Sequence, residues 1–192
     1  MKTLEIIGFK RANLGKRESK QLRLSANVPC VLYGGEEQVH FYAPMFLFRD
    51  LVYTPNAYKV DLTVEGKKYP CILQDIQFHP VNDMILHADF LLLKEDKEVK
   101  MDVPVRITGT SPGVIKGGKL ISKMKKVKVK ALPKNLPDYV EADISSLEIG
   151  KSLRIGDLKS GDFTFLNNKS LPVVSVETTR ASRGAAAAEE GK

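Results

Sequence analysis

The chain carries three histidines and two cysteines, and one histidine stands out because of its neighbour. His87 and Asp89 flank Ala88, and on a strand that i, i+2 spacing sets both side chains on one face, opposite Leu86, Ala88, Phe90 and Leu92. A carboxylate beside an imidazole can orient a general base or a metal ligand. No Walker loop, HExxH, GxSxG or dinucleotide-binding glycine fingerprint accompanies the pair, and a lone HxD is a weak pattern. A metal-assisted hydrolase built on His87 and Asp89 is therefore a remote reading. Cys30 and Cys71 lie far apart without CxxC spacing, which suits buried free thiols in a reducing compartment. No enzyme activity, metal or cofactor is expected.

Anion binding is the better-supported chemistry. The net charge of +7 favours an anionic partner without naming one. Residues 1 to 93 hold 11 basic and 10 acidic side chains, a balance of +1, while residues 94 to 192 hold 19 and 13, a balance of +6. Two runs concentrate the bases. KRANLGKRESKQLR, residues 10 to 23, has six basic side chains against the single acid Glu18, so the rest of the first half is net acidic. KGGKLISKMKKVKVKALPK, residues 116 to 134, has eight lysines and no acid. Each run suits a phosphate-binding surface or a merely solvated face.

The elements that must position these residues are mostly strands. Tyr58, Val60, Leu62 and Val64 alternate with polar residues, and Gly66 supplies a turn into the segment from Lys68 to Phe78, a hairpin pattern. HPVND, residues 79 to 83, turns the chain into a third strand from Met84 to Leu93, which completes a meander. Val99, Met101, Val103, Val105 and Ile107 form a further alternating strand, placed at a sheet edge by Pro104. Val127, Val129 and Ala131 oppose Lys126, Lys128 and Lys130, so one face of that strand is wholly basic. Shorter apolar segments follow around Leu153 and from Leu171 to Val176. Helix is expected only from Pro44 to Tyr53 and over a turn or two from Glu18 to Leu24. The charged stretch KEDKE, residues 94 to 98, reads as a linker, and the sequence after Glu177 as a disordered tail. The longest apolar stretches, such as Ile85 to Leu93, are too short for a membrane span, and the N-terminal residues lack an export pattern, so a cytoplasmic location is expected.

Three segments in order carry a resemblance. Arg11-x-x-x-Gly15-Lys16, then Leu22-Arg23 leading to VPCVLYGG at Val28 to Gly35, then LQDIQFHPVNDMILHADF at Leu73 to Phe90, resemble the N-terminal domain of bacterial 5S-RNA-binding ribosomal proteins. The second half resembles the C-terminal domain of the longer, Ctc-type members of that family, the general stress proteins, with less specific motifs. The resemblance implies a mainly β chain: a small β-barrel with short helices at residues 1 to 93, a second β-rich domain at 94 to 180 and the tail at 181 to 192. It implies a structural protein of the large ribosomal subunit that binds 5S ribosomal RNA. The alternative is a stress-induced RNA-binding module that joins ribosomes conditionally. Large-subunit RNA and neighbouring ribosomal proteins are the partners implied for the second domain.

The same resemblance assigns RNA contacts to Arg11, Lys16, Ser19, Lys20, Arg23, Tyr33, Gln74, Gln77, His79, His87 and Asp89. Arg and Lys neutralise phosphates, whereas Gln, His and Asp on a strand face can meet the 2′-hydroxyls and base edges of a shallow RNA minor groove. Tyr33 beside Gly34-Gly35 can stack on a base or sit in the core, Gln74 and Gln77 cannot share a face of a regular strand, and His79 can equally shape the turn before Pro80. Two departures from the family pattern stand out. Lys20-Gln21 replaces an arginine pair, and Ser25-Ala26-Asn27 lacks the glycine usual before the Val28-Pro29 segment.

Overall fold

The structure, a computed structural model, describes residues 1 to 179 and groups them into two compact units. The first comprises Met1–Met101 with Leu132–Asp138; the second comprises Asp102–Ala131 with the chain from Tyr139 onward. The tail expected at 181 to 192 lies outside the described residues.

Six strands of the first unit close into a barrel: β1 (Lys2–Lys10), β2 (Asn27–Tyr33), β3 (Val39–Pro44), β4 (Tyr58–Val64), β5 (Lys67–Phe78) and β6 (Ile85–Leu92), in the order β1-β3-β2-β6-β5-β4. Closure comes from the parallel pairing of β1 with β4, Ile6 lying opposite Leu62. The expected hairpin is present: the two-residue turn Glu65-Gly66 has φ of 50° and 81°, the doubly left-handed geometry that matches strand twist. β6 follows β5 antiparallel, which completes the expected meander. Alternation along β4 buries Tyr58, Val60, Leu62 and Val64. At the centre Phe90 packs against Phe41 and Phe48, with ring centroids 5.8 and 6.2 Å apart, and all three are fully buried.

Two short helical segments belong to this unit. One is α1 (Lys16–Leu24); the other is a 3-10 turn, Met45–Phe48, running into α2 (Arg49–Val52), so Pro44 precedes the helical stretch it was expected to open. α1 starts at Gly15, whose φ of 143° and ψ of 177° lie where only glycine is comfortable. It ends through Ala26, at φ 55°, whose N–H donates to the Arg23 carbonyl. This is the left-handed position that usually follows a helix C-terminus, and here alanine holds it.

The expected alternation from Leu86 to Leu92 needs correcting. The β5–β6 register sets Gln77 opposite His87 but Phe78 opposite Ile85, so Leu86 is an extra residue; Ile85 is buried and Leu86 only partly so. A second slip lies between Leu73 and Asp75, with Gln74 the extra residue.

β7 (Val99–Thr108) leads into the second unit, where β8 (Lys119–Ser122), β9 (Lys126–Ala131), β10 (Val140–Asp143), β11 (Ser152–Arg154), β12 (Thr164–Phe165) and β13 (Pro172–Glu177) form two sheets, β10-β7-β9-β12 and β11-β13-β8. β7 is therefore interior, not the edge strand that Pro104 suggested. Backbone N–H groups alternate in direction along a strand, and that of Val105 donates to the Lys125 carbonyl on the β9 side. The donor missing at Pro104 thus faces the β10 side, where pairing begins only at Val105 opposite Val140. Val127 and Val129 are fully buried, as the alternation in β9 requires.

Candidate functional site

Two elements of the barrel carry most of the residues singled out by the resemblance. α1 lies beside β2 and β6, and Arg23 Nε donates to the Leu86 carbonyl at 3.0 Å. The extra residue in β6 thereby supplies the acceptor that fastens the helix. At the other end of α1, Arg11 donates to Ser19 Oγ at 3.2 Å, its backbone N–H bonds to the His40 carbonyl, and Ser19 Oγ donates to the Gly15 carbonyl. Arg11 is nearly sunk, its side chain 7% exposed, with Glu18 Oε2 at 3.7 Å. Arg11 and Ser19 therefore build the helix start as well as bordering the site. Lys16 and Lys20 are exposed on α1, and among the described residues no ion pair engages either side chain.

On β6, His87 and Asp89 share the outer face, with Nδ1 of His87 2.7 Å from Oδ1 of Asp89. Oδ1 is shielded from water and, apart from this contact with His87, has no hydrogen-bond partner. Gln77 stands opposite His87 and Asp75 opposite Asp89, which puts two carboxylates side by side. Tyr33 is close enough to Asp89 and Asp75 that both help burial raise its phenol pKa. Burial and, next, Asp89 push the Cys30 thiol far up, while Arg11 draws it back, so Arg11 and Asp89 act on the same buried sulfur from one corner of the barrel.

Four buried side-chain polar atoms among the described residues lack a hydrogen bond, and three belong here: Arg11 Nε, Glu18 Oε2 and Asp89 Oδ1. Two of the three still have an ion-pair partner, Arg11 at 3.7 Å from Glu18 Oε2 and His87 at 2.7 Å from Asp89 Oδ1.

The structure thus brings together Arg11, Ser19, Arg23, Tyr33, Gln77, His87 and Asp89. Gln74 is exposed at its bulge, so β5 is not the regular strand that separated it from Gln77. His79 closes the β5–β6 turn: its Nδ1 accepts from the Val81 N–H at 3.3 Å, and its own N–H donates to the Met84 carbonyl. Two participants escaped the sequence reading, Glu18 and Asp75. Glu18 carried a signal, as the one acid in a run of six bases. Asp75 carried none, since its place beside Asp89 depends on the slip at Gln74. Among the described residues no group of three or more His, Cys, Asp or Glu side chains could hold a metal, and no helix is long and apolar enough to cross a membrane.

Residues 6 to 90 match the Ribosomal L25p family, and residues 98 to 180 match the C-terminal domain of ribosomal protein TL5. Large ribosomal subunit protein bL25 of Cytophaga hutchinsonii is 58% identical over 192 residues, spanning 100% of both chains. The protein of the same name from Amoebophilus asiaticus is 58% identical over 192 residues, 100% of this chain and 98% of its own. That of Bacteroides fragilis is 46% identical over 193 residues, 98% of each.

Proposed function

The chain belongs to the family of large ribosomal subunit protein bL25, and from that premise we propose that it is a structural component of the large ribosomal subunit whose barrel binds 5S ribosomal RNA. This is a ribosomal family rather than an enzyme family. The RNA-binding domain is residues 1 to 93, with residues 94 to 180 as a second domain.

The observation that carries the reading is the corner between α1 and β6, where a nearly buried arginine, a His–Asp pair and a glutamine meet with three polar atoms unsatisfied. A ribose 2′-hydroxyl is donor and acceptor at once, so it can donate to the Asp89 carboxylate while accepting from a neighbouring N–H. Lys16 and Lys20 on the exposed side of α1 neutralise the flanking phosphates, and Gln77 and His87 reach the minor-groove edges.

Asp89 tests this most sharply, because by charge alone a carboxylate repels a phosphate backbone. Asp89→Asn removes that charge and an acceptor together. Specific binding to 5S RNA weakens by about 1–3 kcal/mol, the range for losing a hydrogen bond to a charged group. Binding to duplex RNA of unrelated sequence stays equal or tightens slightly. Titrations of both RNAs at one salt concentration decide it: 5S RNA bound as tightly by the variant would make Asp89 an ordinary solvated residue and remove β6 from the interface.

A further inference from the structure

Beyond the barrel, the feature that the proposed 5S RNA site leaves unused is the lysine face of β9. Val127 and Val129 are fully buried and Ala131 nearly so, which forces Lys126, Lys128 and Lys130 onto the opposite, outer face. Successive lysines on one strand face stand about 6.6 Å apart at Cα, in a straight row. That period is close to the separation of neighbouring phosphates along a polynucleotide strand.

The backbone beneath the row is pinned. The Lys128 N–H donates to Asn167 Oδ1 at 2.7 Å, the Leu166 N–H donates to the Lys128 carbonyl at 2.9 Å, and Thr164 pairs with Lys130. The side chains are thus presented by a fixed strand, and little backbone order remains to be gained on binding. Lys126 and Lys128 are exposed and make no ion pair among the described residues, whereas Lys123 and Lys151, elsewhere in the same unit, pair with Glu177 and Glu148 at 2.7 Å. The exposed acids on this sheet face are Asp102 on β7 and Glu141 and Asp143 on β10. Glu141 lies opposite Arg106, and the Asp143 carboxylate accepts from the N–H and the hydroxyl of Ser145. β10 is two strand spacings from β9, about 9.6 Å, which is near the screening length of about 10 Å at 0.1 M salt.

We propose that the outer face of β9 is a second RNA surface, one that tracks a phosphodiester backbone by charge and reads no sequence. An acidic protein segment is the less suitable occupant. Its carboxylates stand on flexible stems of varied length, whereas the evenly spaced, rigid row matches a regular polyanion.

The test uses the full chain. Lys126→Gln, Lys128→Gln and Lys130→Gln are combined and compared with a charge-matched control, Lys151→Gln, Lys159→Gln and Lys169→Gln, in titrations against duplex RNA of unrelated sequence. With each phosphate contact contributing about 0.9 to the slope of log affinity against log salt, the β9 variant should lose about 2–3 from that slope and about 10-fold or more in affinity at low salt. The control should lose far less, and the three Lys→Arg replacements in β9 should retain both slope and affinity. Equal losses in the β9 variant and the control would reduce the row to its share of net charge and overturn the proposal. A β9 variant that keeps its RNA affinity but loses binding to polyglutamate would overturn it in favour of an acidic protein. Discrimination between 5S RNA and unrelated duplex should not change in the β9 variant, whereas Asp89→Asn changes discrimination and leaves the slope alone. Failure of the barrel site and failure of this one are therefore read from different quantities.

Discussion

The two units of this chain solve the problem of a small β core differently, and they deploy charge differently as well. The barrel closes on itself around Phe41, Phe48 and Phe90, with Tyr58 also buried. The second unit is built from two open sheets, and its fully buried apolar side chains among the described residues are aliphatic, such as Val103, Val127, Val129, Val173 and Val174. The barrel half is nearly neutral, at 11 minus 10, yet holds the corner of unsatisfied polar atoms; the basic half, at 19 minus 13, presents a row of like charges. Under the function proposed above, net charge and discriminating chemistry are separated in one chain. Charge density draws any polyanion, whereas discrimination needs acceptors and donors at fixed places, including a carboxylate that charge alone would exclude.

The contrast in cores gives the largest expected effect. Phe90→Ala should lower stability by about 3–5 kcal/mol, because the ring lies at the centre of the aromatic cluster and the closed barrel relaxes poorly around a cavity. Val129→Ala in the second unit removes two buried methylene equivalents and should cost about 2 kcal/mol. Denaturant unfolding of each variant measures both, and equal costs would dissolve the distinction between the two cores.

A pH titration sharpens the comparison further, because both cysteines lie in the barrel. Burial pushes the Cys71 thiol up from 9.0 to about 12, with Asp61 adding to the rise. The unfolded chain ionises this thiol first, so stability is intact below pH 9 and declines as pH rises toward 12, by at most about 1.4 kcal/mol per pH unit for this one group. Cys71→Ala should remove that part of the alkaline loss. Unchanged alkaline sensitivity in the variant would show that the thiol is not its source.

The smallest effect is a gain. Ala26 holds a left-handed conformation at φ 55°, which costs an L-residue roughly 1–2 kcal/mol. Ala26→Gly relieves this while adding freedom to the unfolded chain, for a net stabilisation of about 0.5–1 kcal/mol in thermal unfolding. A loss of stability instead would mean that the helix end tolerates alanine without strain.

Local pattern made much of this fold legible. Alternation from Tyr58 to Val64 and from Lys126 to Ala131 placed the buried faces correctly, and Gly66 marked its turn. What stayed hidden depends on pairing. Leu86 is apolar on whichever face it falls, so alternation could not reveal that it is an extra residue, and a one-residue slip reverses every face before it. Pro104 misled because a proline reports a missing donor on one side of its strand, not the absence of a neighbour along the whole of it. At the candidate site, His87 and Asp89 were legible as a pair from spacing alone. The tie from Arg23 to the Leu86 carbonyl and the place of Asp75 beside Asp89 were not, since both arise from bulges. The absent glycine of the family pattern was visible in the sequence, and its physical meaning emerged only with the φ of Ala26.

The position of β6 has a consequence for how the protein comes into being. Although last of the six barrel strands to be synthesised, it does not add to an edge: it fills the gap between β2 and β5, pairing parallel with one and antiparallel with the other. A nascent chain that has emerged only as far as β5 therefore has an open wall where His87, Asp89 and the carbonyl that anchors α1 will stand. Ribosomes extend chains at about 5–20 residues per second, so the wall is open for about 0.7–3 s while the chain grows from Phe78 to Leu92. Under the function proposed above, the basic helix would draw RNA in that interval without the means of choosing it, and selectivity would be acquired in a single step when the last stave goes in.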